Sequence, residues 1–253
     1  MRKKRGIIVF AKEPVVGRVK TRLTPPLSSE EARDLYEAFL RDVLETAREA
    51  ARDSGADLFL AWSGDLDHEL VEGARGAGVE VVAQVGGDLG ARMQGALSGL
   101  RAHGYDEALI VGTDSPTLAP EHFHTAFLLL AGADVVFGPS FDGGYYLVGV
   151  AMGDTAGSAP PAEEVIFAGI PWSTSEVLTR SFERAKEGGL LCDLLGFWYD
   201  VDTEDELKML HFQLLHYLPT RDPGRARWTR RFLESRPSLL THHIETPPSQ
   251  EST

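Results

Sequence analysis

Short apolar runs alternate with longer amphipathic stretches along most of the chain. "GIIVFA" (6–11), "ADLFLAW" (56–62), "VEVVAQ" (79–84), "EALIVG" (107–112), "DVVFGP" (134–139) and "YYLVGVA" (145–151) each have the length and β-branched or aromatic content of a buried strand. Between them, residues 28–55 predict a long helix. Ser28 and Glu31 stand at capping-box spacing, and Leu35, Phe39, Val43 and Ala47 recur along one face. Shorter helices are predicted over 66–78, 91–104 and 120–131. Strand-helix alternation of this kind predicts an α/β fold with a largely parallel sheet covered on both faces. In such sheets ligands lie beyond the carboxyl ends of the strands. Three polar segments follow strands here: the basic loop within "VFAKEPVVGRVKTRL" (9–23), "TDSP" (113–116) and "SFDGG" (140–144).

The last third is less regular. "SAPPAEE" (158–164) reads as a loop, 173–189 as a helix and "LLCDLLGFWYDV" (190–201) as extended. A helix over 202–218 opens with Thr203 and Glu206 at capping-box spacing, and 223–236 predicts a final amphipathic helix. Residues 1–243 read as one domain with a helical extension from about 203, and 244–253 as a disordered tail too poor in apolar surface to order itself.

Composition narrows the function. The 253 residues carry a formal net charge of −13, which opposes binding to nucleic acid or anionic membrane. Lys12, Arg18, Lys20 and Arg22 are therefore concentrated against the general charge, as expected for a small anionic ligand. Their loop is not a phosphate-cradling Walker motif, because Val19 precedes Lys20 and Pro14 stands where the first glycine belongs. "GGDLGARM" (86–93) fails the dinucleotide fingerprint. Cys192 is the only cysteine, which excludes an internal disulfide and a cysteine zinc site; its apolar setting reads as a small core residue. The eight histidines, among them the His122/His124 and His242/His243 pairs, form no metal-site spacing. No run is long enough to span a membrane, and the expected location is cytoplasmic.

Candidate chemistry resides in the loops. Asp114 directly follows a strand and suits Mg²⁺ or Mn²⁺, although an Asx-turn before Pro116 explains it equally well. Asp200 and Asp202, two apart in an extended segment, share a face and can reach one site. Asp142, Gly143 and Gly144 offer a carboxylate beside accessible backbone, or a tight hairpin. Gly17 permits positive φ or close approach, while Gly90 and Arg92 adjoin a helix start suited to a base or phosphate. Trp172 lines an acceptor pocket or belongs to the core.

In order, "FAKEPVVGRVKTRL", "GGDLGARM", "GTDSP", "GPSFDGGYYLVG", "GIPWSTSEVL" and "DVDTEDEL" resemble the DUF2064 family, also described as selenodomain-associated transferase 1 proteins, within the GT-A-like nucleotide-diphospho-sugar transferase superfamily. The resemblance spans about 6–207; Val16 replaces an expected proline, and no motif covers the chain after about 218. It implies a three-layer α/β/α fold whose mostly parallel sheet includes one antiparallel strand. It also implies a metal-dependent transferase working on a nucleotide-sugar and a small acceptor, with Mg²⁺ or Mn²⁺ as cofactor. Asp114 and Asp202, with Asp200, are then the metal ligands. Lys12, Gly17, Arg18, Lys20, Arg22, Gly90 and Arg92 bind the nucleotide, and Asp142, Gly143, Gly144 and Trp172 the sugar or acceptor. Lys20, Arg22 and Asp142 are the candidate catalytic groups. The same "K…KTRL" pattern is similar to 2-phospholactate guanylyltransferases, so transfer of a nucleotidyl group from an NTP is the alternative, and a non-catalytic nucleotide-binding module a third.

Overall fold

The computed structural model describes residues 3–153 and 160–236; the predicted tail, His242 and His243 lie outside them. A seven-stranded sheet has the order β3-β2-β1-β4-β6-β5-β7. Its strands are β1 (Arg5–Lys12), β2 (Asp57–Ser63), β3 (Glu80–Ala83), β4 (Glu107–Val111), β5 (Val135–Pro139), β6 (Tyr145–Ala151) and β7 (Cys192–Leu194). β1 pairs in parallel with β2 and β4, setting Val9 opposite both Leu60 and Val111. β6 alone runs against its neighbours, β4 and β5. The expected mixed, mostly parallel sheet with one antiparallel strand is present.

Alternation along β1 shows how the sheet is covered. Ile7, Val9 and Ala11 pack with α1 (Ser29–Ser54), α2 (Glu69–Gly76) and α4 (Pro120–Leu129) on one face. Ile8 and Phe10 pack on the other with Met93 and Leu97 of α3 (Leu89–Ala102) and Ile166 of α5 (Ala162–Ile166). The two-residue period thus supplies both layers from one strand.

The Ser28–Glu31 capping box opens α1 as expected. Its buried surface is wider than one stripe. Leu40, Val43 and Ala47 meet the sheet, whereas Leu35 and Phe39 enter a separate cluster with Leu207, Leu210, Leu214 and Phe232. That cluster docks the C-terminal elements α7 (Glu204–Phe212), a π-helical turn (Gln213–Tyr217), α8 (Leu218–Arg221) and α9 (Arg227–Glu234). The helix expected over 202–218 is therefore interrupted in hydrogen-bond register. Glu206 forms its half of the predicted cap, accepting from the backbone N–H groups of Asp202 and Thr203, both at 2.7 Å. Two further boundaries differ. Ala162–Ile166 is helical where a loop is expected, and the helix expected from 173 begins only at Val177 (α6, Val177–Glu187), because 173–176 form a loop in which Ser173 has φ 65°.

Candidate active site

The carboxyl ends of the strands open onto a cleft of about 820 Å³. β1 delivers Lys12 and the loop bearing Arg18, Lys20, Thr21 and Arg22. β2 ends at Ser63, β4 runs into Thr113 and Asp114, and the β5–β6 turn brings Asp142 and Gly144. Arg92 from the first turn of α3 and Trp172 close one side, and Asp200 and Asp202 approach from the segment after β7. The three polar segments expected to converge do so. None of the described histidines lines the cleft.

Lys20 is placed differently from the exposed cations around it. Its side chain is only 3% accessible. The ammonium pairs with Asp114, donates to Asp202 Oδ1 at 2.9 Å and to the Val201 carbonyl at 2.8 Å. Burial alone would lower its pKa; the Asp114 and Asp202 charges outweigh that effect and hold it raised. Val201 N–H donates to the Asp114 carbonyl at 2.9 Å, which joins the β4 turn to the C-terminal segment. The backbone of Lys20 itself is left-handed, at φ 48°.

Asp200 points to other partners. Its carboxylate accepts from Ser115 Oγ at 2.6 Å and Ser140 Oγ at 3.0 Å, so it ties the β4 and β5 turns together. Burial, then the neighbouring Asp114 charge, pushes it up to about 6 against the two hydroxyl bonds that favour the ionised form. Asp114 and Asp202 remain 42% and 38% accessible. Both are hard oxygen donors of the kind Mg²⁺ and Mn²⁺ take. Among the described residues no group of three or more His, Cys, Asp or Glu is placed to hold a metal. The donor set fits Mg²⁺ or Mn²⁺ bound through two carboxylates, with water and phosphate oxygens completing the shell.

The glycines act in distinct ways. Gly17 has φ 74° with open space around it, so it serves the turn. Gly90 has the Trp172 indole where a side chain would begin: a Cβ would lie 2.6 Å from its ring. Gly143 has φ 90°, and a Cβ there would meet the Ser175 carbonyl at 2.1 Å. Gly17, Gly90 and Gly143 thus shape the cleft wall without lining it, whereas Gly144 lines it and donates its N–H to Asp142 Oδ1 at 2.9 Å.

Sequence reasoning missed Gln84 and Tyr36. Gln84 Nε2 donates to the carbonyls of Ala11 and Ala61, both at 2.8 Å, and its side chain lines the cleft at the end of β3. Tyr36 lies beneath the cleft, accepting from Lys12 N–H at 3.0 Å, and burial pushes its phenol up to about 12. A lone amide at a strand's carboxyl end was the available signal for Gln84. Tyr36 sits in a helical stripe like any core aromatic.

A family model described as an uncharacterized protein conserved in bacteria, DUF2064, matches residues 46–174. A Desulfovibrio desulfuricans G20 structure, provisionally classed as a nucleotide-diphospho-sugar transferase, superposes with a TM-score of 0.79 at 30% identity, covering 94% of this chain and 96% of that one. The chain belongs to the DUF2064 family. This DUF2064 protein is accordingly a transferase-like enzyme with the nucleotide-diphospho-sugar transferase fold. The fold is also that of a Leptospira borgpetersenii cytidylyltransferase (TM-score 0.53, 13% identity, 95% and 98% of the two chains). A CMP:2-keto-3-deoxy-manno-octonic acid synthetase complexed with CTP shares it too (0.50, 14%, 82% and 97%). No curated protein matches the sequence. Among the described residues no helix is long and apolar enough to cross a membrane.

Proposed function

We propose that this DUF2064 protein transfers a sugar from a nucleotide-diphosphate sugar to a small acceptor, with Mg²⁺ or Mn²⁺ as cofactor. The observation that carries the reading is the convergence of Asp114 and Asp202, from separate segments, on one point of a cleft otherwise rimmed by Lys12, Arg18, Arg22 and Arg92. Asp114 and Asp202 hold the ion, which when bound supplies positive charge to the diphosphate oxygens. Asp200, held by Ser115 and Ser140, positions the segment bearing Asp202.

The exposed cations bind the diphosphate and stabilise the charge that develops on the departing nucleoside diphosphate as the glycosidic bond breaks. Asp142 has one oxygen committed to Gly144 N–H; the other takes the proton from the attacking acceptor hydroxyl. Trp172, backed by Gly90, gives the sugar or acceptor an apolar surface at the same end of the cleft. The products are a glycosylated acceptor and a nucleoside diphosphate.

Nucleotidyl transfer is the second reading, supported by the fold shared with the Leptospira cytidylyltransferase over 95% of this chain. The same carboxylates and cations would then serve attack on an NTP α-phosphate. Chromatographic product analysis over NDP-sugars, NTPs and small acceptors separates the two. Nucleoside diphosphate released from an NDP-sugar in step with acceptor glycosylation supports sugar transfer. Pyrophosphate from an NTP, with every NDP-sugar inert, moves the assignment to nucleotidyl transfer.

A further inference from the structure

We infer that the Lys20 ammonium is a resident counter-ion of the Asp114/Asp202 pair, displaced when a divalent ion and a diphosphate bind together. The inference rests on the metal-dependent reading above and adds a regulatory step to it. An ammonium has three N–H donors. Lys20 spends all three, on Asp114, Asp202 and the Val201 carbonyl. None is left for a phosphate until one of those contacts opens.

Charge balance points the same way. Two carboxylates with one ammonium carry a net negative charge, and two carboxylates with one divalent ion are neutral. Holding both cations between the carboxylates places like charges side by side, which is unfavourable in a partly buried site. Without either cation, Asp114 and Asp202 repel one another, while the Val201 N–H to Asp114 carbonyl bond keeps their segments together. The pair therefore requires one cation at a time. Both carboxylates line the cleft and are about two-fifths accessible, whereas the lysine side chain between them is buried, so an incoming ion meets the carboxylates first.

Release then has a destination. Lys20 sits at the start of a short 3₁₀ turn (Thr21–Leu23) in a left-handed conformation that a non-glycine residue adopts at a cost. Thr21 and Arg22 of that turn line the cleft beside it. A diphosphate there offers acceptors for the freed ammonium, so metal and diphosphate bind with positive cooperativity, and the metal alone binds weakly.

The test is calorimetric titration of Mn²⁺ into the full-length protein, with and without inorganic pyrophosphate, for wild type, Lys20→Met and Lys20→Met/Asp114→Asn. Removing the competing ammonium should tighten binding of Mn²⁺ alone by roughly tenfold or more, the scale of a charge-assisted contact. The double variant should lose that gain. Pyrophosphate should strengthen Mn²⁺ binding far more in wild type than in Lys20→Met.

Equal Mn²⁺ affinity in wild type and Lys20→Met overturns the inference and leaves the metal site intact. Failure of both to bind Mn²⁺ even with pyrophosphate overturns the metal-dependent reading itself. Should Lys20→Met not fold, peptide-mapped acylation of wild type decides. Mn²⁺ with pyrophosphate at saturation should change Lys20 labelling relative to its metal-free, ligand-free state and to the pyrophosphate-only control. Unchanged labelling while calorimetry shows bound Mn²⁺ refutes displacement.

Discussion

Asp42, in the middle of α1, accepts hydrogen bonds from both the backbone N–H and the hydroxyl of Thr229, at 2.8 and 2.6 Å. A third comes from Trp228 N–H at 3.0 Å, so one buried carboxylate receives the first turn of α9 across more than 180 residues of chain. Burial raises Asp42 to about 6 from 3.8, outweighing these bonds. The folded state therefore binds a proton more readily than the unfolded chain. Its contribution is fully present below pH 3.8 and lost as pH rises through about 6. The stability advantage of wild type over Asp42→Asn should shrink between those values and level off above them. Urea denaturation of both proteins at a series of pH values measures this difference. A gap that widens as pH rises would show that the hydrogen bonds outweigh burial.

Ser115 and Ser140 should matter for stability more than their size suggests. Each donates to Asp200, and deleting one hydroxyl leaves a sequestered carboxylate short of a partner. Ser115→Ala should cost about 1–3 kcal/mol, and Ser140→Ala somewhat less given its longer bond. In a double-mutant cycle with Asp200→Asn the losses should be strongly non-additive. Simple additivity would place the serine effects elsewhere.

Much of this arrangement was legible beforehand, for a physical reason. In β1 the strand period sets every side chain's face, so "GIIVFA" sufficed to assign a doubly covered strand. Asp114 and Asp142 were legible because polar residues directly after strands have little choice but to occupy the carboxyl edge of the sheet. Partner choice was not legible. Lys20 and Arg22 are near-identical in sequence context, yet one is buried against two carboxylates and the other lines the open cleft. The backbone at Lys20 is left-handed, and no periodicity records that. Asp200 and Asp202 likewise share a face on paper, whereas Ser115 and Ser140 claim the first alone. The loop over 173–176 carries the same polar pattern as the helix after it, and the contact that sets it apart, Ser175 against Gly143, is distant in sequence.

The arginines that line the cleft, exposed Arg22 and half-buried Arg92, should govern phosphate affinity. Arg22→Ala and Arg92→Ala should each weaken binding of a nucleoside diphosphate by roughly tenfold while leaving bare nucleoside little changed. Calorimetry with both ligands provides the comparison. Equal losses for diphosphate and nucleoside would assign these side chains to the base or ribose.

Adjacent glycines should respond in opposite ways. Gly143→Ala forces a side chain into φ 90° and onto the Ser175 carbonyl, and should cost at least about 1–3 kcal/mol. Gly144→Ala meets only the flexible Asp142 carboxylate, at 3.2 Å, and should leave Tm nearly unchanged. Gly144→Val should narrow the cleft and weaken sugar-nucleotide binding more than binding of the free nucleoside diphosphate. Thermal melts and ligand titrations of the three variants test this ordering.

The reversed direction of β6 has an evolutionary corollary. A parallel strand reaches the ligand edge once, and a new loop there must be followed by a crossover back to the opposite edge. Because β6 runs antiparallel to β5, five residues, Ser140 to Gly144, leave the sheet at the ligand edge and re-enter it there. Within that turn Phe141, 72% exposed, can change without rerouting a helix, whereas Ser140, bonded to Asp200, and Gly143, packed on the Ser175 carbonyl, tie the turn to its neighbours. On the proposed sugar-transfer reading, divergence in acceptor preference should therefore accumulate at Phe141 on the tip of this hairpin rather than at Ser140 or Gly143.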